Sequence, residues 1–113
     1  MYSELLRDRA KRLMSIANAS INNADYYTAL VLIYDAFHLY LSSVSKKSFE
    51  NVLKSLMKSE GNEAKRRLLD QLRNGKICYK TDPKIVKEIY SIIVNIMAEI
   101  DKQSAEMELV LNN

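Results

Sequence analysis

The run YYTALVLIYDAFHLYLSSV, Tyr26 to Val44, is the most apolar continuous stretch of the chain and limits what the remainder can become. It is long enough to suggest a membrane span, but Asp35 and His38 sit in its middle and tyrosine hydroxyls punctuate it. It therefore reads as the central, buried helix of a small soluble bundle. Leu30, Ile33, Phe37, Leu41 and Val44 recur at three- and four-residue steps and predict one inward face. Ala29 and Ala36 form a second stripe, small enough for another helix to approach closely. Two packing surfaces on one helix predict neighbours on two sides.

A chain of 113 residues fits one domain. The core is expected over residues 3–102, with 103–113 as a helical extension or tail. The single cysteine, Cys78, has no internal disulfide partner, which suits a reducing compartment. The opening MYSELLRDRAKRL carries charge where a signal peptide needs an apolar block. A cytoplasmic protein with no membrane contact is the expectation.

The helix pattern starts at Ser3, a suitable N-cap, and runs to about Ile21 with Glu4 in the first turn. Leu6, Leu13, Ala17 and Ser20 or Ile21 make its stripe, beside Leu5, Met14 and Ile16. Asn22, Asn23 and Asp25 break the pattern, and Asp25 is placed to cap the central helix. So short a connection makes the first two helices antiparallel. Ser48 opens a third helix, Phe49 to about Lys58, facing inward through Val52, Leu53 and Leu56 or Met57 and stopped by Gly61-Asn62. A fourth runs from about Glu63 to Arg73 through Ala64, Leu68, Leu69 and Leu72, and Asn74-Gly75 ends it. Lys76 to Thr81 read as an extended loop. Asp82-Pro83 reads as an N-cap followed by the first residue of a long last helix. Ile85, Ile89, Ile92, Ile93, Ile96 and Ile100 stripe that helix over four turns, which outweighs the weak helix propensity of isoleucine. The fold class is all-α, a four- to five-helix up-down bundle.

Net charge is +3, from 17 basic and 14 acidic side chains, too mild by itself to imply a nucleic-acid partner. The distribution says more. Arg66, Arg67, Arg73, Lys76, Lys80, Lys84 and Lys87 crowd one stretch against only Asp70 and Asp82. These seven side chains are the candidate footprint for RNA or a nucleotide; the competing reading is a solvated helix surface. Arg73 and Tyr79 together suit a phosphate, guanidinium for charge and phenol for stacking, or else an arginine closing its own helix and a tyrosine filling an interface. His38 is the only imidazole, so proton transfer near neutral pH falls to it. Otherwise it is a boundary residue satisfied by its own helix. Cys78 reads as a small buried hydrophobe or a thiol activated by nearby cations. No partner stands at ligand spacing for a metal, and no glycine-rich phosphate loop or paired-cysteine site is present, so no metal and no cofactor are expected. Seven tyrosines against two phenylalanines, and the wide apolar face of the last helix, predict a homodimer.

The stretches ADYYTALVLIYDAFHLYLSSV and LLDQLRNGKICYKTDPKIVKEIYSII resemble the HEPN family, small helical domains of prokaryotic toxin–antitoxin and defence systems. The resemblance covers Leu5 to Ile100. It implies a dimer with the late motif near its interface, and a minimal nucleotidyltransferase as partner protein. Ribonuclease members of the family carry an arginine, four to six residues and a histidine. Here Arg73 fills the arginine position and Tyr79 stands where the histidine is expected. A phenol titrating near pH 10 is a poor base, so the resemblance implies a binding module without strong catalysis. The enzymatic alternative is a metal-independent ribonuclease using Arg73 and His38, with Tyr79 beside them. A third reading takes the first two helices as a peptide-gripping hairpin of the microtubule-interacting-and-transport or tetratricopeptide kind, although the repeat such arrays need is missing.

Overall fold

A computed structural model describes residues 2–47, 50–51, 54, 63–74 and 82–112; the side chains of Tyr2, residues 63–65, Leu68, Arg73 and residues 103–112 fall outside that description. Among the described residues the bundle shows four bounded helices: α1 (Tyr2–Asn22), α2 (Tyr26–Ser43), α3 (Glu63–Arg73) and α4 (Pro83–Asn112). No strand occurs among the described residues, and the fold is an all-α bundle. Both α2 and α4 touch all three of the other helices, so the apolar run does stand at the centre, sharing that place with the isoleucine helix. No helix among the described residues is long and apolar enough to cross a membrane. Lys46, Lys47, Glu50, Asn51 and Lys54 have helical backbone. Ser48, Val52, Leu53, Leu56, Met57, Gly61 and Asn62, through which a third helix was expected to be capped, packed and stopped, lie outside the described residues, as do Lys76 to Thr81.

Local chemistry sets the helix ends. The α1–α2 turn closes with the Asp25 amide donating to the Ser20 carbonyl at 2.8 Å and the Ala24 amide to the Ile21 carbonyl at 3.0 Å, the paired pattern that ends many helices. Ala24 makes this possible by taking φ 58°, a left-handed conformation that glycine usually supplies. Asp25 then caps α2, its Oδ1 accepting from the Thr28 amide at 3.2 Å. Hydrogen bonds from Thr28, first its side chain and then its backbone, hold the Asp25 carboxyl below its ordinary value. At the other end of the chain, Asp82 Oδ1 accepts from the Lys84 amide at 2.8 Å, and Pro83 opens α4 as the sequence predicts. At 30 residues, α4 is about 45 Å long by the helical rise, nearly the 49 Å longest dimension of the molecule.

Among the described residues the core draws on four helix faces. On α1, Ala10, Met14, Ala17 and Ile21 are buried at steps of four, three and four; on α2, Ala29, Leu30, Ile33, Ala36, Phe37 and Tyr40 are. From α3 come Leu69 and Leu72, and from α4 Val86, Ile89, Ile92, Ile93, Ile96, Met97 and Ile100. Ala10, Ala17, Ala29 and Ala36 have no exposed surface at all, and side chains this small allow the α1 and α2 backbones to come close.

That close approach shifts the depth of burial from what the sequence pattern predicts. The α1 seam centres on the alanines, leaving Leu6 and Leu13 half-buried at its edges and turning Leu5 and Ile16 out to solvent. On α2 Tyr40 is the last fully buried side chain, while Leu41 and Val44 pack against the edge of the core half-buried. Tyrosine takes that place because its hydroxyl finds acceptors on α4, as described next.

Candidate functional site

The basic stretch is presented by two helices in contact. Leu69 and Leu72 fasten α3 to the core, which turns Arg66, Arg67 and Asp70 outward. Val86 and Ile89 do the same for the start of α4, leaving Lys84, Lys87 and Glu88 exposed. Four of the seven predicted anion-binding side chains are therefore solvent-facing, with acidic neighbours interleaved. Arg73 is the last helical residue of α3, where the Asn74 amide donates to the Asp70 carbonyl at 3.1 Å; its side chain, and the whole of Lys76, Cys78, Tyr79 and Lys80, lie outside the described residues.

His38 is half-buried on α2 and tied to its own helix. Nδ1 lies 2.9 Å from the Tyr34 carbonyl, which can only accept, so the neutral ring carries its proton on Nδ1 and keeps its lone pair on Nε2. The ring lies 4.1 Å from that of Tyr34, centroid to centroid, and presents an edge relation to Phe37 at 5.9 Å. Helix-internal contacts thus orient the imidazole, as the boundary-residue reading expects. The helices that carry His38 and Arg73 touch each other. Among the described residues, no group of three or more His, Cys, Asp or Glu side chains is placed to hold a metal ion.

A polar junction that pattern reasoning does not reveal joins three helices. The Tyr40 hydroxyl donates to Asp101 Oδ1 at 2.6 Å and also lies 3.0 Å from the Met97 carbonyl, while Lys11 Nζ sits 2.7 Å from Asp101 Oδ2. One hydroxyl carries one proton, so the shorter contact to the carboxylate takes most of it. Burial, then the hydrogen bond and charge of Asp101, push the Tyr40 hydroxyl well above its ordinary pKa, with Arg7 opposing weakly. A phenol held this firmly protonated is a fixed donor, not a base. The sequence signal was faint: a tyrosine at core spacing, and a carboxylate directly after the last core isoleucine.

The chain matches no protein-family model, no curated protein and no solved structure.

Proposed function

We propose that the chain is a helical binding module for an anionic partner, RNA or a nucleotide, without strong catalysis of its own. One observation carries this reading: Arg66 and Arg67 on α3, and Lys84 and Lys87 on the first turns of α4, are all exposed on helices that touch and are anchored by core residues beneath them. Cations held by a packed scaffold lose less freedom on meeting phosphate than cations on a free tail. The HEPN resemblance supports the same reading and extends it to a homodimer in the cytoplasm with a nucleotidyltransferase as partner protein. The test is fluorescence anisotropy of a labelled single-stranded RNA across a salt series. Affinity should fall steeply with salt, and each phosphate contact removed by Arg66→Glu/Arg67→Glu or Lys84→Glu/Lys87→Glu should flatten the log–log slope by about 0.7. Binding that ignores both double variants sinks the reading.

The His38 tautomer favours a second reading. With Nδ1–H held by Tyr34, Nε2 is the proton-accepting atom, the arrangement a general base needs. In that reading Arg73 steadies the scissile phosphate. RNA cleavage in EDTA, abolished by both His38→Ala and Arg73→Ala, would put the ribonuclease in place of the binder.

A further inference from the structure

α1 carries a second seam on the side opposite its buried one. Ala10, Met14, Ala17 and Ile21 face the core; Leu5, Arg9, Arg12 and Ile16 repeat the same four-three-four steps on the outer side. Leu5 is 67% exposed and Ile16 53%, so these two aliphatic side chains stand well clear of the bundle. They stand eleven positions apart, about 16 Å along the helix. Between them Arg9 and Arg12 are exposed, and neither has an ion pair among the described residues, although Asp8 stands four positions before Arg12. Among the described residues, Lys11 is the cation of this helix that is so engaged, with Asp101.

We propose that this outer seam docks an acidic amphipathic helix of another protein, one with two aliphatic side chains about three turns apart and two carboxylates at the seam positions between them. Three considerations select that partner. Steps of four, three and four average about 3.7 residues, close to the 3.6 of a straight helix, so all four side chains stay on one face of α1 and can meet a second helix laid along it. The two guanidiniums present forked donors that match carboxylates and would be left unmatched by an apolar helix. A second copy of α1 fits badly in either direction, since both parallel and antiparallel pairing set arginine against arginine at the middle of the seam. Nucleic acid fits less well too, because the ends of the seam are aliphatic and offer no aromatic face for a base to stack on.

The probe is a fluorescein-labelled helical peptide of three heptads with Leu and Ile eleven residues apart and Glu at the two intervening seam positions. A matched peptide has Lys in place of both Glu residues. Anisotropy with the full chain should show saturable binding of the Glu peptide and little of the Lys peptide. Arg9→Glu/Arg12→Glu should weaken the Glu peptide tenfold or more and create binding of the Lys peptide, and Leu5→Ala/Ile16→Ala should weaken the Glu peptide several-fold. All four positions are exposed, and circular dichroism of each variant checks that the helices persist. Equal binding of the two peptides, or binding of neither, overturns the proposal. Two further outcomes do the same by naming another occupant: a dimer in sedimentation that Leu5→Glu dissolves, or RNA binding that Arg9→Glu/Arg12→Glu weakens more than Arg66→Glu/Arg67→Glu does.

Discussion

Single residues set the boundaries of this fold. Ala24 holds a left-handed conformation at φ 58° to close the α1–α2 turn, and a β-carbon makes that conformation costly. Ala24→Gly should therefore raise unfolding free energy by about 0.5–1 kcal/mol in urea titration, the relief outweighing the extra freedom glycine gives the unfolded chain. Tyr40 belongs to the same scale. Tyr40→Phe removes a buried hydrogen bond to a carboxylate and should cost about 1.5–3 kcal/mol at neutral pH. The hydroxyl's folded pKa is raised above its ordinary 10.0, so its contribution is fully present below pH 10.0 and declines as pH rises further and the unfolded chain alone ionises. Alkaline denaturation should accordingly begin at lower pH in the native chain than in Tyr40→Phe once their neutral stabilities are matched by urea. At Asp101 the two partners differ in weight. Lys11 is half exposed, so Lys11→Ala should cost under about 1 kcal/mol, whereas Asp101→Ala strands the buried tyrosine hydroxyl with only a helix-engaged carbonyl and should cost about 1–3 kcal/mol.

At the level of elements, the helices were legible because their signals are local. Asp82-Pro83 marks the start of α4, Asn74 follows the end of α3, and the isoleucine period runs along α4 from Ile85 to Ile100. Which face of a helix lies deepest was less legible, because that depends on the neighbour. On α1 the large aliphatic residues dominate the sequence pattern, yet the alanines sit deepest, since two helices pack closest where side chains are smallest. Overfilling that contact gives a direct check: Ala36→Leu, at a position with no exposed surface, should cost about 1–3 kcal/mol and show as an equal fall in thermal and urea stability. Exposed Ala19→Leu on the neighbouring helix should change stability by less than about 0.5 kcal/mol.

On the whole-molecule scale, what escaped the sequence was meeting across distance. Nothing in the spacing of Lys11, Tyr40 and Asp101 announces that they converge, because each lies on a different helix and is set by tertiary packing. The basic stretch was legible as composition, and its exposed members Arg66, Arg67, Lys84 and Lys87 do face solvent, but composition does not fix what they meet. The isoleucine, alanine and leucine faces hold the helices together by burial and close fit, but each of those contacts is without direction of its own. A hydroxyl aimed at a carboxylate has one. Advancing α2 by a single residue along α4 would carry the Tyr40 oxygen about 1.5 Å along the axis and swing it about 100° around it, far outside bonding range. Tyr40 thus acts as an index pin: the oily faces supply the adhesion, and one phenol adds a directional contact that is made only in this alignment.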